Sequence, residues 1–368
     1  MSQDKGFAEA LAQEEVDKAA VKENERVYAL KQTVAKLTKE RDSMGHLLSV
    51  SRKEQSEIAL EMTLFHGEYE GAPGWLADTA GGDNHATLLA QFSDWHYGEF
   101  VDPAQMDNYN SYNTDIAIKR TQRFFGKSVM MPRNYLAGVE YDGFVLVLGG
   151  DLVSGSIHDE LERTNELSIY ESIEFAVRQM IPGIEMLAEE FGSVHLVSAP
   201  GNHGRFWRKV QHKDYSANNA DTHIARLLAL HFQGEDSITF QIPATYDADF
   251  SIYASRFYTE HGQSFRSAGS PEIGSIGPIT RGVLRTQSQK LAEGKPFDYA
   301  LIHHFHQYIS AASKGYSTNG AGKGYDEYAR GEHFKPEQAQ QALMLVTPEH
   351  GVSVQMPIIV SDREAEGW

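Results

Sequence analysis

The sequence predicts an α/β layered fold, and three observations carry that expectation. Short continuous apolar runs such as "GFVLVLGGD" (143–151) and "SVHLVSA" (193–199) read as strands buried on both faces. Amphipathic stretches of helical length lie between them, the clearest over 159–181. With 368 residues and 41% hydrophobic content, the chain can bury a large core.

Residues 1–65 form the first unit, a helical arm. Residues 1–60 contain no proline and are rich in Ala, Glu, Lys, Gln and Leu, which are good helix formers. Val27, Leu30, Val34, Leu37, Met44 and Leu48 fall on the a and d positions of a short coiled-coil seam, interrupted by Arg41. Residues 14–50 are therefore expected to mediate homo-oligomerisation or docking of a protein partner, the alternative being a helix packed on its own domain. Gly and Pro in "HGEYEGAPGWLADTAGGDNH" (66–85) mark a linker.

The second domain, 86–368, opens with a strand at 86–92, then a helix near 113–125 and the run 143–151. The helix over 159–181 continues with more helix to Phe191, followed by the strand 193–199 and a helix at 221–232. Strands are expected at 237–242, 256–261 and 297–304, and a hairpin at 343–357. The Gly-rich stretch 313–331 reads as a mobile loop. It is no phosphate loop of the Walker type, because Gly322-Lys323 is followed by Gly324.

Composition restricts the function. The formal net charge is −18, from 51 acidic and 33 basic residues, a surface that repels duplex nucleic acid overall but leaves room for a local basic groove. The absence of cysteine excludes disulfides, thiolate metal sites and cysteine nucleophiles. No apolar run approaches the roughly 20 residues that span a bilayer. The N-terminus has no basic-then-apolar signal layout, so a cytoplasmic protein without membrane contact is expected.

Polar residues collect where the strands end. "FSDWHYG" supplies Asp94 and His96, "VLGGDLVSG" supplies Asp151, and "APGNHG" supplies Asn202 and His203. "YTEHGQ" supplies His261, and "LIHHFHQ" supplies His303, His304 and His306. Sites in open α/β sheets form outside the carboxyl ends of the strands. Carboxylates, an amide and imidazoles gathered there are the oxygen and nitrogen donors that suit Mn²⁺, Fe or Zn²⁺.

The order Asp-x-His, Gly-Asp, Gly-Asn-His, His, x-His-x-His resembles the calcineurin-like metallophosphoesterases, nearest to their DNA-repair-nuclease and phosphodiesterase branch. All five blocks lie in order across 94–306. The resemblance implies a two-sheet β-sandwich flanked by helices, with two divalent ions at one edge: manganese first, with iron, zinc or magnesium as alternatives. It implies Asp94, His96 and His306 on the first ion, Asp151 bridging, and Asn202, His261 and His304 on the second. His203 would contact the phosphate and protonate the leaving oxygen, with attack by a metal-bridging hydroxide. The implied activity is hydrolysis of phosphodiesters, as a nuclease or phosphodiesterase acting on DNA or nucleotides. The alternatives are a phosphomonoesterase acting on a nucleotide or phosphoprotein, and a non-catalytic interaction protein recruited through the arm.

Three positions depart from the family pattern. Gly204 stands where an acidic residue usually follows the histidine, Leu152 follows the bridging aspartate in place of a polar residue, and His303 replaces a glycine. Directly after the third block, Arg205, Arg208 and Lys209 surround Phe206 and Trp207. This basic run is expected either to bind substrate phosphates and stack a base, or to form a surface helix whose aromatics face the core. His158, His195, His212, His223, His231, His333 and His350 read as ordinary surface or core histidines.

Overall fold

The computed structural model describes residues 71–77, 84–265 and 276–368, together with the helical Lys36 and Lys39. Apart from those two lysines, the arm over 1–65 with its heptad seam, and the linker residues 66–70 and 78–83, lie outside the described residues. In the unit from Glu68 to Trp368, alternation of apolar side chains along the strands produces two sheets that share a core.

The first sheet contains β1 (His85–Phe92), β2 (Glu140–Leu148), β3 (Val194–Ser198), β4 (Ile238–Gln241), β10 (Gln340–Thr347) and β11 (Gly351–Ile359). Its order is β11-β10-β1-β2-β3-β4, parallel from β1 to β4 and antiparallel at the β10 and β11 edge. The second contains β5 (Asp247–Ile252), β6 (Ser255–Glu260), β7 (Tyr299–Ile302), β8 (Ile309–Ala311) and β9 (Tyr316–Thr318), in the order β5-β6-β7-β9-β8. Strands β6, β7 and β9 run parallel.

Successive side chains on a strand face opposite ways. On β1, Leu88, Ala90 and Phe92 pack with the helices, whereas Leu89 joins Val145, Val147 and Val197 against Phe250, Phe257 and Leu301 of the second sheet. The helical layer over the first sheet comprises α1 (Thr114–Tyr135), α3 (Ile169–Phe191) and α4 (Ala220–His231), with the short α2 (Asp159–Thr164) before α3. On the outer face of the second sheet, α5 (Ile276–Ala292) sets Ile279 and Val283 against Tyr258, Ala300 and Ile302. Short helices α6 (Glu327–Gly331) and α7 (Arg363–Glu366) complete the described residues. The expected two-sheet sandwich flanked by helices is the observed architecture.

Several elements differ from expectation. The helix expected near 113–125 runs on to Tyr135, with Asn113 capping its start by accepting from the Ile116 N–H at 2.9 Å. The single helix expected over 159–181 breaks after Thr164 and restarts at Ile169. Ser168 and Glu171 form a capping box there, which starts a new helix within the amphipathic pattern. Strand β5 escaped the reading because Asp247 and Asp249 interrupt its apolar residues; both carboxylates pair with Lys290.

The Gly-rich stretch 313–331, expected to be mobile, is buried from Tyr316 to Gly324. Asn319 Nδ2 donates to Ser93 Oγ and Gln341 Oε1, both at 2.8 Å. The buried Arg120 donates to the carbonyls of Gly322 and Lys323 at 3.2 and 2.7 Å, and pairs with Glu366 at 3.0 Å. Glycines that usually signal mobility are used here for close packing.

His195 is an ordinary core histidine, as expected. It is buried on β3 beside Thr239, 2.9 Å from its hydroxyl, and burial lowers its pKa to about 4. The unfolded ring titrates near 6.5, so between these values the folded state holds fewer protons. The stabilisation from the neutral ring is complete above pH 6.5 and is lost as the pH falls towards 4. Between pH 7 and 4, urea unfolding of the wild type is expected to lose about 3 kcal/mol more than that of His195→Gln; parallel curves would refute it.

Candidate metal centre

Five parallel strands, β1, β2, β3, β6 and β7, end at the same edge, and each is followed by one block of the sequence pattern. The loops after β1 and β2 continue side by side as if still paired. The N–H groups of Asp94, His96 and Tyr97 donate to the carbonyls of Gly150, Asp151 and Leu152 at 3.0, 3.0 and 2.8 Å. The third loop joins them where the His203 N–H donates to Asp151 Oδ1 at 2.7 Å.

The backbone turns sharply at these positions. Asp94, His96, Asp151, His304 and His306 all adopt positive φ, between 48° and 72°. Non-glycine residues hold that conformation at a cost of order 1–3 kcal/mol each. Such strain is concentrated where side chains must be aimed.

The structure brings Asp94, His96, Asp151, His203, His261, His304 and His306 together. Three overlapping sets offer ligand atoms within 4.8 Å of one another: Asp94, His96 and His306; His96, Asp151 and His203; and Asp151, His261 and His304. His306 Nε2 lies 3.2 Å from Asp94 Oδ1. His261 Nε2 lies 2.8 Å from Asp151 Oδ2 and 4.0 Å from Asp94 Oδ1. Among the described residues, the two buried carboxylates pair with imidazoles and with no lysine or arginine.

The ring orientations favour a cation. His261 Nδ1 donates to the Gly149 carbonyl at 2.8 Å, which leaves Nε2 facing Asp151. A lone pair against a carboxylate is repulsive, so a proton or a metal ion must lie between them. Burial opposes protonation of His261, but Asp151 outweighs it and pushes the pKa up to about 9. Burial likewise opposes ionisation of Asp94 and Asp151, yet the surrounding histidines hold both below the ordinary carboxylate range. His96 Nε2 and Asn202 Oδ1 are buried with no hydrogen-bond partner, and buried polar atoms rarely stay unsatisfied. This donor set fits divalent ions.

Other residues support the ligands. His96 Nδ1 lies 3.3 Å from Glu99 Oε2, and Lys323 Nζ lies 3.0 Å from both Glu99 oxygens. Burial disfavours the ionised Glu99, but Lys323 outweighs it and keeps the carboxyl well below its usual range. The sequence offers no local signal for this pair, since 223 positions separate Glu99 from Gly322 and Lys323 lies one further on, in the Gly-rich run.

Gly204 also finds its explanation. A Cβ there would lie 2.3 Å from Asn219 Oδ1 and 2.9 Å from Asp221 Oδ2. Asp221 brings a buried carboxylate from the start of α4 to the space beside the His203 turn. It accepts from the N–H groups of Asp151, Leu152 and Gly201 at 3.0, 3.0 and 2.8 Å. Burial, aided by the charge of Asp151, raises its pKa to about 6. His303 is structural: its ring lies under Gly149, whose Cβ would meet it at 2.2 Å, and it bonds Thr259 and Ser93 at 3.1 and 3.0 Å.

The basic run forms turns, with no helix. Phe206 packs on the main core while Trp207 is half exposed. Arg205 Nε donates to the Asn202 carbonyl at 2.9 Å. Arg208 is engaged elsewhere, in exposed ion pairs with Asp159 and Glu162.

No family model matches the sequence, and no curated protein matches it. Among solved structures, a protein from Streptococcus pneumoniae TIGR4 described as a predicted phosphoesterase is 8% identical, covering 74% of this chain and 97% of its own, at a TM-score of 0.26. Vacuolar Protein Sorting 29 from Cryptosporidium parvum is 13% identical, with coverages of 71% and 86% and a TM-score of 0.30. Wild-type Vps29 complexed with zinc from Entamoeba histolytica is 10% identical, with coverages of 74% and 99% and a TM-score of 0.27. Likenesses of this size carry no weight for what the chain does.

Asp221→Ala strands three buried N–H groups, at about 1–3 kcal/mol each. Urea unfolding in the presence of chelator is expected to show a loss of at least about 3 kcal/mol. An unchanged midpoint would mean that the three donors find other acceptors.

Proposed function

We propose that the protein is a two-metal-dependent phosphoesterase that hydrolyses phosphodiesters. The observation that carries this reading is the pair of buried, unpartnered ligand atoms, His96 Nε2 and Asn202 Oδ1, beside two buried carboxylates whose ion-pair partners among the described residues are all imidazoles. The five sequence blocks on five strand ends supply the rest of the support.

In this reading Asp94, His96 and His306 would hold one ion, Asn202, His261 and His304 would hold the other, and Asp151 would serve both. The oxygen and nitrogen donors suit manganese, iron or zinc. Two such ions supply, when bound, a water acidified to near neutrality and a clamp on the phosphoryl oxygens.

The chain's own groups do the remaining work. His203 donates from Nδ1 to the Ser154 carbonyl at 2.8 Å, which fixes the ring and frees Nε2 for the substrate. Burial lowers its pKa to about 3, so without substrate the ring is neutral. An anionic phosphodiester beside it raises that value, and the protonated Nε2 then delivers its proton to the leaving oxygen. Backbone bonds from the β1 and β2 loops keep the two carboxylates aligned throughout.

The test is Mn²⁺-dependent hydrolysis of bis-p-nitrophenyl phosphate beside p-nitrophenyl phosphate, with metal content measured on the same samples. Diester turnover is expected, with about two ions per chain in the wild type. His203→Ala should keep its metal and lose about 10²–10⁴-fold in kcat. Asp151→Asn should lose both metal and turnover. Turnover of the monoester alone would overturn the diester assignment, and a metal-loaded protein inert to both would overturn the enzymatic one.

A further inference from the structure

Just beyond the His203 turn lies a shallow surface recess, open to solvent. Arg205, Lys209 and Lys213 line it, together with Trp207, Tyr215 and a single acid, Asp214. Three cations around one recess stand out on a chain of net charge −18. Lys209 and Lys213 make no ion pair or side-chain hydrogen bond among the described residues, and Arg205 engages only its Nε. The chain buries Phe206 against the core but leaves the adjacent Trp207 45% exposed. The recess is tied to the Asn202 turn, because Arg205 Nε donates to the Asn202 carbonyl and Tyr215 donates to the Gly201 carbonyl, both at 2.9 Å.

We propose that this recess is a nucleotide subsite, binding the phosphate and base next to the scissile phosphodiester of a short single-stranded oligonucleotide. The inference rests on the phosphoesterase reading for the scissile phosphate itself. A simple monoester presents one phosphate, and the metal centre takes it. Lysines beside that centre, with no ion-pair partner among the described residues, are placed to hold a further phosphate of the same substrate. A half-exposed tryptophan between them offers a flat face for a base, and stacking of this kind tolerates any sequence. The acidic remainder of the surface repels long polyanions, and a single exposed tryptophan offers stacking for one base, so the geometry points to a short single strand and away from duplex.

The test is a titration of the full-length protein with pentathymidylate, read by tryptophan fluorescence at several salt concentrations. Saturable quenching is expected, and it should vanish in Trp207→Phe although the chain's three other tryptophans remain. The double variant Lys209→Ala/Lys213→Ala should bind about tenfold more weakly, and its dependence of log K on log salt should flatten by about 0.7 per lysine removed. These side chains line an open recess, and circular dichroism checks that each variant is folded. Quenching that persists in Trp207→Phe, or unchanged affinity in the double variant, would overturn the proposal. So would inorganic pyrophosphate binding as tightly as the oligonucleotide, which would reduce the recess to an anion site. Because the titration needs no turnover, a negative hydrolysis assay and a negative binding assay fail separately.

Discussion

Two buried carboxylates within 4.0 Å of one imidazole nitrogen govern this protein. Asp94 and Asp151 are removed from water, and taking a carboxylate out of water costs several kcal/mol unless positive charge arrives. The chain supplies neither a lysine nor an arginine to them among its described residues, only histidines. Other choices around the centre follow from that constraint. His203 and His261 each donate one ring nitrogen to a backbone carbonyl, His96 sets its Nδ1 beside Glu99, and their other nitrogens remain for the centre. Glu99 would add a further negative charge, and Lys323, shared with Asp326, offsets it. Asp221 is absorbed by three backbone donors.

The backbone bears a matching cost. Five of the residues at the centre sit in the left-handed region, and several kcal/mol of strain must be offset elsewhere. The offset comes from the layers beneath. The first sheet is buried on both faces, by helices on one side and the second sheet on the other. A polar layer of Ser93, His303, Asn319 and Gln341 ties the strand ends together just below the carboxylates.

Strands carrying continuous apolar runs could be read directly, because burial on both faces leaves that signature in β1, β2 and β3. The strand β5 could not, since its acids are neutralised by Lys290, which is distant in sequence. The candidate ligands were legible for a related reason: each polar group follows directly after an apolar strand, where a buried charge has few structural uses. What lay hidden was whatever the fold brings in from afar. Lys323 sat in a stretch whose glycines suggested mobility, and Asp221 fills a space that Gly204 leaves open 17 positions earlier. In the sequence, Gly204 looked like a lost carboxylate; in three dimensions a carboxylate reaches the same turn from another element. Arg208 shows the converse. It shares a basic run with Arg205 and Lys209, yet two acids on α2, Asp159 and Glu162, claim it.

The paired loops after β1 and β2 have one more consequence. Their carbonyl and N–H groups bond each other as a continuation of the sheet, so the ligands are held in place by main chain. Metal sites in small zinc modules assemble only as the ion arrives, and there the ion's binding energy is spent on folding the chain. Here the main-chain bonds between the loops involve no ligand atom, so, on the reading proposed above, removal of the ions is expected to leave the backbone of the centre in place.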